Sequence, residues 1–318
     1  MRIGFGAPVS GAWATAEQLG RFAADAERLG YDSLWTFQRL LAPADAPGAP
    51  VYRSVLDPLL ALTFAAARTT RIRLGVSLVN MPFVGPTVLA KQAATLDVLS
   101  NGRLDLGLGA GWSPEEFAAT GASTARRGAR TEEYLRVLRT LWADEISQFD
   151  GEFYTVPRTR MAPKPVQRPG PPVLLGGVVP AAMARAGRLA DGWLSRSATD
   201  LARISAQIAV VRDAAALAGR DPAAIRVVCR GVVRVDDPDG AELGAGLGGG
   251  GAGPDGRRPR LSGSYRQIRD DTAWLAEQGV SELFYDLNWD PLIGNPDADP
   301  DHAAQRANHI LRNLAPAT

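Results

Sequence analysis

The chain has 318 residues, 46% hydrophobic and 22% charged, with a formal net charge of +1. That balance is typical of a globular protein and gives no electrostatic reason to expect nucleic acid, an anionic membrane or another polyanionic partner. Because Cys229 is the only cysteine and no apolar run reaches the ~20 residues that cross a bilayer, we expect no disulfide, signal peptide or membrane span, and a reducing, cytoplasmic location.

Strands and helices are predicted to alternate along the chain. The predicted strands are Ile3–Pro8, Ser33–Phe37, Ile72–Val79, Leu104–Leu108, Val173–Gly177, Trp193–Ser197, Arg226–Val235 and Glu282–Leu287. Helical spacing and capping signals predict helices after Thr15, after Asp57, over Val88–Leu99, after Ser113, over Arg130–Trp142, from Pro180, and over Asp200–Ala218, Tyr265–Gln278 and His302–Leu314. An Asp-Gly turn predicts a small hairpin at Phe149–Tyr154, followed by a proline-rich connector.

The stretch Arg71–Trp112 shows the pattern most clearly. Two apolar, β-branched-rich runs flank a segment with helical spacing, and Gly102 follows that segment as a predicted helix C-cap. Neither run alternates between apolar and polar residues, as expected for strands that are covered on both faces. The stretch is therefore predicted to be a βαβ unit with parallel strands.

Eight strands, each followed by a helix, favour an α/β protein of the (β/α)8 TIM-barrel class in a single domain, residues 1–318. An open, doubly wound sheet gives the same alternation, so the pattern alone leaves closure undecided. Residues 240–262 are predicted to form a flexible, glycine-rich insertion loop. Its arginines Arg257, Arg258 and Arg260 suggest either a lid that meets an anionic ligand or, more simply, a solvated insert.

Ligands of either architecture bind at the C-terminal ends of the strands, so those ends are the candidate site. The turn Gly176-Gly177-Val178-Val179 leads into a helix and offers backbone N–H groups to a phosphate or another anion, or is simply a tight turn. The spacing Gly107-x-Gly109-x-Gly111 does not fit a dinucleotide fingerprint and suggests either a flat floor for a planar ring or close barrel packing. No cluster has metal-ligand spacing, so no metal site is predicted.

Only two histidines occur, His302 and His309, and both are expected on the surface of the last helix. A hydrolase of the Ser-His-Asp type therefore has no evident base. The strand ends offer mainly Arg, Trp, Ser and backbone amides, which suits a protein that holds a cofactor.

Several short motifs, weak singly but specific in their order and spacing, resemble the luciferase-like flavin/F420-dependent oxidoreductases over most of the length. They are Gly30-Tyr31-Asp32-Ser33-Leu34-Trp35, Arg71-Ile72-Arg73-Leu74-Gly75, Leu89-Ala90-Lys91-Gln92, Ser100-Asn101-Gly102-Arg103-Leu104, Gly109-Ala110-Gly111-Trp112, Arg127-Gly128-Ala129-Arg130, Pro163-Lys164-Pro165-Val166-Gln167, Gly176-Gly177 and Ala190-Asp191-Gly192-Trp193. The resemblance implies a luciferase-like (β/α)8 barrel.

The resemblance also implies roles for the strand ends. Ser77 and Leu78 occupy the place where the family has a bulge with a non-prolyl cis peptide, which supports the central flavin ring from behind. Gly109, Ala110, Gly111 and Trp112 would line the edge of the ring. Gly176, Gly177, Val178 and Val179 would hold the cofactor phosphate through backbone amides.

The chain departs from the family pattern at the reacting centre. Many relatives carry Asp-His after the second strand, where this chain has Gln38-Arg39. A permanently charged arginine is a poor acid but stabilises negative charge, so Arg39 is a predicted catalytic residue unless it is an ordinary loop arginine. Trp112, the second predicted catalytic residue, stands where some members have a glutamate.

Three functions fit these residues. The first is an F420-dependent oxidoreductase that transfers a hydride between the deazaflavin C5 and a small organic substrate. The alternative is an FMN-dependent two-component monooxygenase that uses reduced flavin and O2, and the third is a non-catalytic flavin-binding barrel. The expected partners are the substrate, a separate flavin or F420 reductase, and a second copy of the chain in a homodimer. Nothing in the sequence separates F420 from FMN.

Overall fold

The computed structural model describes residues 1–45, 48–236 and 258–316. Eight parallel strands close into a barrel, each paired with its neighbours in chain order and the last paired with the first. They are β1 (Arg2–Gly6), β2 (Ser33–Thr36), β3 (Arg73–Asn80), β4 (Leu104–Gly109), β5 (Val173–Gly176), β6 (Gly192–Leu194), β7 (Arg226–Val232) and β8 (Glu282–Asp286). The predicted TIM barrel is confirmed, and closure excludes the open doubly wound sheet.

Helices in the described ranges surround the barrel. They are α1 (Ala16–Arg28), α2 (Pro58–Ala66), α3 (Pro86–Leu99), α4 (Pro114–Thr120), α5 (Arg127–Ala143), α6 (Pro180–Leu189), α7 (Ile204–Leu217), α8 (Tyr265–Glu277) and α9 (Pro300–Asn313). None of these helices has the length and apolar character needed to span a membrane.

Local chemistry explains where the helices begin. The side chains of Thr15, Asp57 and Ser113 each accept a hydrogen bond from the backbone of the first turn of α1, α2 and α4, as predicted. Helix α3 ends at Leu99 with Ser100 as its C-cap residue, and Gly102, the predicted cap, lies two residues further on. The Gly102 amide nevertheless closes the helix end, because it donates a 2.8 Å hydrogen bond to Asp97 O while the Asn101 amide donates to Val98 O. Both Asn101 (φ +54) and Gly102 (φ +78) have left-handed backbone conformations.

Other boundaries differ because tertiary packing extends or interrupts the local pattern. Helix α5 begins at Arg127, three residues before the predicted start at Arg130. The predicted seventh strand is broken at Val233, after which Arg234–Val235 pairs with Ser262–Gly263 outside the barrel. The predicted hairpin is present as the antiparallel strands Ser147–Asp150 and Thr155–Thr159.

Of the predicted glycine-rich loop, 240–262, residues 240–257, which include Arg257, lie outside the described residues. Its last residues are more ordered than predicted, because Leu261 and Ser262 are buried and Ser262 pairs with Arg234 in a two-stranded sheet. Arg258 and Arg260, which follow that segment, are both engaged within the chain. Arg258 Nη1 lies 2.8 Å and Arg260 Nη1 lies 2.7 Å from carboxylate oxygens of Asp271, which is almost fully buried on α8. These two arginines therefore fasten the residues before α8 to that helix.

The interior of the barrel is layered. Its middle layer is apolar and consists of five buried side chains from five strands, with Trp35 stacked on Phe284 at a ring distance of 5.1 Å. These side chains are Trp35, Leu174, Leu194, Val228 and Phe284. The layer separates a charged foot, at the N-terminal ends of the strands, from the mouth at their C-terminal ends.

Two fully buried carboxylates, Asp105 and Glu282, form the centre of the foot. Asp105 accepts hydrogen bonds of 2.7–3.0 Å from the guanidinium groups of Arg73 and Arg226. Glu282 is shared by Arg2 at 2.7 Å and Arg226 at 3.0 Å. Burial raises the pKa of the Asp105 carboxyl, but the hydrogen bonds and charges of the two arginines outweigh burial and hold that pKa below its usual value.

Loss of the Asp105 charge should destabilise the fold. A carboxylate whose pKa is lower in the folded than in the unfolded chain stabilises the fold above its unfolded pKa of about 3.9, and this contribution disappears as the pH falls through the folded pKa. Asp105→Asn should lower the free energy of unfolding at pH 7 by about 3–5 kcal/mol, because the arginines lose their buried partner. It should also make stability less dependent on pH in the acid range.

Urea unfolding followed by circular dichroism, at pH 7 and at acid pH, measures both effects. Glu17→Gln is the control, because Glu17 pairs with Arg21 on the exposed face of α1. A D105N protein as stable as the parent chain at pH 7 would show that the foot is not held by this carboxylate.

Candidate active site

The candidate site lies at the mouth, where the C-terminal ends of β3, β4 and β5 are adjacent. The pairing of β3 with β4 shifts register between Val76 and Val79, and the peptide bond Ser77–Leu78 inside this bulge is cis. A cis bond at this place is what the family resemblance implied. The nine predicted cofactor-binding residues all lie on these three strand ends and the turns that follow them.

The side chain of Leu78 explains two of the glycines. A Cβ atom at Gly109 would lie 2.2 Å from Leu78 Cδ1, and one at Gly176 would lie 2.3 Å from Leu78 Cδ2. Leu78 therefore occupies the space over both glycines. A Cβ atom added at Gly107 would lie 2.1 Å from Val76 O, so the close approach of β3 requires glycine there too. The glycine run was interpreted either as a flat floor for a planar ring or as a result of close barrel packing. Close packing accounts for Gly107 and Gly109, and the side chain of Leu78 forms part of the floor of the mouth.

The Gly176–Val179 turn has the features of an anion-binding turn. It leads directly into α6, whose N-cap residue Val179 makes no side-chain capping bond. In the described part of the chain, the amides of Gly177, Val178 and Val179 donate to no acceptor, whereas Gly177 O accepts a 2.9 Å hydrogen bond from the Trp193 indole. The side chains of Val178 and Val179 are exposed, so the open amides lie at the surface of the mouth.

Arg39 is a wall residue of the mouth rather than a loop-surface arginine. It is only 8% exposed, and its Cζ lies 4.9 Å from the ring centre of Tyr52 and 4.6 Å from that of Trp112. The two rings are themselves 5.9 Å apart, so the three groups form a compact triangle. The structure therefore brings together the two predicted catalytic residues, Arg39 and Trp112, and adds Tyr52, which the sequence did not single out.

Glu116 on α4 fixes the position of the Arg39 loop. Its carboxylate is 1% exposed and accepts hydrogen bonds from the amides of Leu40 at 2.7 Å and Leu41 at 3.3 Å. The same oxygen, Oε1, lies 3.5 Å from Arg39 Nε. On the other side of the loop, Gln38 Oε1 accepts a 2.8 Å hydrogen bond from the amide of Asn80 at the end of β3. Arg39 is thus anchored through both of its neighbours in sequence.

A second buried arginine, Arg230, lies at the end of β7. Its Nε donates a 2.6 Å hydrogen bond to Asp286, and its Cζ lies 4.6 Å from the ring centre of Phe37. Asn288 donates to the other oxygen of Asp286 at 2.9 Å. The predicted end of the eighth strand contains Asp286, but Arg230 was not predicted as a site residue, because it lies inside the otherwise apolar stretch 227–233 and not at a strand end.

Tyr52 lies within electrostatic reach of both charged pairs. Burial raises the pKa of its phenol, and the positive charges of Arg230 and Arg39 only partly offset that effect. The phenol is therefore protonated at neutral pH. Tyr52 contributes a neutral aromatic surface to the mouth.

A cavity of about 340 Å³ opens beside the mouth between the ends of β3 and β4 and the start of α5. Apolar side chains line one part of it and Arg127, Arg130 and Tyr154 another. Arg127 also donates a 2.9 Å hydrogen bond to Gly111 O. The cavity borders Ala110, one of the predicted cofactor-binding residues, and so adds room next to the mouth.

Other chemistries find less support in the described residues. No group of three or more His, Cys, Asp or Glu side chains there is arranged to hold a metal ion. His302 and His309 are exposed on α9, as predicted. Cys229 is fully buried, and burial raises the pKa of its thiol to about 12, so it is not a nucleophile at neutral pH.

Comparison with known sequences identifies relatives over most of the chain. The family model of luciferase-like monooxygenases matches residues 3–243. An uncharacterised protein of Mycobacterium tuberculosis is 38% identical over 265 residues, which cover 83% of this chain and 78% of that protein. The F420-dependent glucose-6-phosphate dehydrogenase of Amycolatopsis mediterranei is 31% identical over 193 residues, 58% of this chain and 56% of that enzyme. The oxygenase component of the flavin-dependent trigonelline monooxygenase of Acinetobacter baylyi is 33% identical over 150 residues, 46% of this chain and 39% of that protein.

Solved structures agree on the fold. The monooxygenase RslO1 of Streptomyces bottropensis superposes with a TM-score of 0.76 at 25% identity, covering 99% of this chain and 98% of RslO1. An F420-dependent secondary alcohol dehydrogenase, solved in complex with an F420–acetone adduct, also gives a TM-score of 0.76, at 19% identity and with 98% of each chain covered.

The contact of Leu78 with Gly109 should be visible as a coupling between mutations. Gly109→Ala should destabilise the protein by about 1–3 kcal/mol, because the new methyl group overlaps the leucine side chain. In a Leu78→Ala background the same substitution should cost less, since the overlapping atoms are gone. Urea unfolding of the two single variants and the double variant gives the coupling.

Gly85→Ala is the control, because no atom of the described residues lies within 4 Å of a Cβ added there. Equal costs of G109A in both backgrounds would contradict the packing of Leu78 over this glycine.

Proposed function

The chain belongs to the luciferase-like monooxygenase family, and from that premise we propose that it is an F420-dependent oxidoreductase that transfers a hydride between the deazaflavin C5 and a small organic substrate. When bound, the reduced deazaflavin would supply the hydride. The residues of the chain would bind and orient cofactor and substrate and stabilise the charge that develops.

The mouth fits a cofactor with a planar ring and a phosphate. The Ser77–Leu78 bulge and the Leu78 side chain would support the ring from behind, and Gly109, Ala110 and Gly111 would lie at its edge. The open amides of Gly177, Val178 and Val179, next to the start of α6, would take the phosphate. F420 and FMN share both features, so this fit supports the class of cofactor.

The observation that carries the proposal is the placement of Arg39. Hydride transfer to a carbonyl or conjugated carbon leaves negative charge on the substrate oxygen, and a fixed guanidinium stabilises that charge without giving up a proton. Arg39 is held in place by Tyr52, Trp112 and Glu116, and its Nε and Nη1 have no hydrogen-bond acceptor in the described part of the chain. Trp112, exposed beside it, would complete the wall that faces the substrate.

The FMN-dependent two-component monooxygenase remains the second candidate. The identity of 33% to a flavin-dependent oxygenase component and the full-length superposition on a monooxygenase favour it. The longer match to an F420-dependent dehydrogenase, 193 against 150 residues, favours the first proposal. A non-catalytic flavin-binding barrel is the third candidate, suggested by the absence of the family histidine after β2.

Titration of the cofactor-free protein with F420 and with FMN separates these candidates. Quenching of cofactor fluorescence should saturate with F420 at a lower concentration than with FMN. Tight FMN binding without F420 binding would overturn the proposal in favour of the monooxygenase. Binding of either cofactor without turnover of any carbonyl or enone compound in a broad panel would favour the non-catalytic barrel.

Replacement of Arg39 tests its catalytic role. Arg39→Met should lower kcat by about 100-fold or more, as removal of an oxyanion-stabilising donor does, and leave the F420 affinity nearly unchanged. Arg39→Lys should restore part of kcat, because the charge returns without the planar guanidinium. Stopped-flow absorbance of the deazaflavin gives the rate, and fluorescence titration gives the affinity.

Arg21→Met is the control, since Arg21 lies on the exposed face of α1. An R39M protein with unchanged kcat, or with kcat lost only because F420 no longer binds, would remove Arg39 from the reaction.

A further inference from the structure

We infer that the wall around Arg39 selects a planar, anionic substrate, an aromatic or conjugated carboxylate, whose carboxylate binds Arg39 while its ring stacks on the surrounding aromatic side chains. The inference rests on the proposed function and deepens it: the carboxylate is conjugated with the carbon that accepts the hydride, so the negative charge that Arg39 stabilises develops on the carboxylate oxygens that it binds.

The aromatic side chains form a connected group. The ring centre of Tyr52 lies 5.9 Å from that of Trp112, 5.3 Å from that of Trp289 and 6.5 Å from that of Phe37. Trp112 is 61% exposed, a large fraction for an indole, and Leu40 and Leu41 are also exposed nearby. An exposed indole beside two partly covered rings is a surface on which a flat ligand stacks.

The charge balance distinguishes Arg39 from Arg230. Arg230 has a close counter-ion, because Asp286 accepts a 2.6 Å hydrogen bond from its Nε and lies 2.6 Å from its Nη2, although Nη2 makes no hydrogen bond in the described part of the chain. Arg39 lies 3.5 Å from Glu116 and makes no hydrogen bond to it, and the same oxygen of Glu116 accepts hydrogen bonds from the amides of Leu40 and Leu41. The positive charge of Arg39 is therefore the less completely paired of the two, and Arg39 is the better receptor for a second anion.

Donors without partners cluster at the same place. Arg39 Nε, Arg39 Nη1, Arg230 Nη2 and the indole nitrogen of Trp289 are buried and have no acceptor within the described ranges. Buried donors without partners are costly, and a guanidinium takes a carboxylate in a bidentate geometry. A ligand carboxylate on the Nη1–Nη2 edge of the guanidinium would supply the acceptor that Arg39 Nη1 lacks, while Nε stays beside Glu116.

Other ligand classes fit less well. Clustered aromatic rings often bind cations, but the buried positive charge of Arg39 in their midst repels a cation. A neutral aromatic molecule stacks equally well yet leaves the donors without a charged acceptor. A saturated acid pairs with Arg39 but cannot stack on the aromatic rings. Only a planar anion uses both features.

Isothermal titration with a matched series tests the substrate class. The probes are 2-naphthoate, its neutral amide 2-naphthamide, the saturated decahydro-2-naphthoate, and tetramethylammonium as the cation. They are added to the cofactor-free protein and to the protein saturated with F420 or FMN. The Kd of 2-naphthoate should be about 10–100-fold lower than that of the amide, as one charge-assisted hydrogen bond predicts, and clearly lower than that of the saturated acid. Equal affinities for acid and amide, or preference for the cation, would overturn the inference.

Variants place the binding at this wall. Arg39→Met should weaken 2-naphthoate binding about tenfold or more while the affinity for 2-naphthamide is unchanged. Trp289→Phe should weaken 2-naphthoate binding to a smaller degree, because it keeps a ring and removes the donor. Trp274→Phe on α8 is the control, since Trp274 stacks on Arg260 away from the mouth. Loss of acid and amide binding together in R39M would contradict a role as carboxylate receptor.

The readout is binding heat and not turnover, so the two proposals fail separately. A protein that binds FMN instead of F420 but still prefers 2-naphthoate would refute only the cofactor assignment. A protein that uses F420 but binds acid and amide equally would refute only the substrate class.

Discussion

The fold depends on the pairing of two buried carboxylates at the foot of the barrel. Removing such charges from water costs several kcal/mol each, and only complete pairing offsets that cost. The partners come from six of the eight strands, so the network fixes the register of most of the ring at once. They are Arg2, Ser33, Arg73, Asp105, Arg226 and Glu282.

At the mouth, by contrast, several polar groups lack hydrogen-bond acceptors among the described residues. These groups are the backbone amides after β5 and the guanidinium of Arg39, all on the other side of the apolar middle layer. Such groups lower the stability of a protein, and they are retained where a ligand completes them. The ion pairs of the foot already hold the N-terminal ends of most barrel strands in place. The fold can therefore tolerate polar groups without partners at the C-terminal ends.

Much of this architecture could be predicted from the sequence. Strands that are covered on both faces give continuous apolar runs, and helix caps such as Thr15 and Asp57 act within one turn, so both signals are local. Motif order gave the family and the position of the Ser77–Leu78 bond. The count of eight strands favoured a closed ring without deciding it, and the pairing of β1 with β8 shows the closure.

The parts that could not be predicted depend on contacts between distant segments. Glu116 looked like an acidic residue at a helix start, and nothing in its neighbourhood indicates that it binds the amides after Arg39. Tyr52 lies in a loop rich in Pro, Ala and Gly that has no periodicity. The glycines of β4 suggested a surface without side chains, but Leu78 covers Gly109. The bulge in β3 sets the direction of the Leu78 side chain, and the residues around the bulge show no pattern that predicts this direction.

The hydrogen bonds from Leu40 and Leu41 to Glu116 have a consequence for how the protein can diversify. They tie the segment after β2 to a helix that follows β4, so an insertion or deletion beside Arg39 would pull the guanidinium away from its place. New ligand preferences should therefore arise by exchanging one side chain for another around a fixed cation, at Tyr52, Trp112 or Trp289. Barrel enzymes usually acquire new activities through changes in the length of the loops after the strands, but the bonds to Glu116 restrict such changes in the loop after β2.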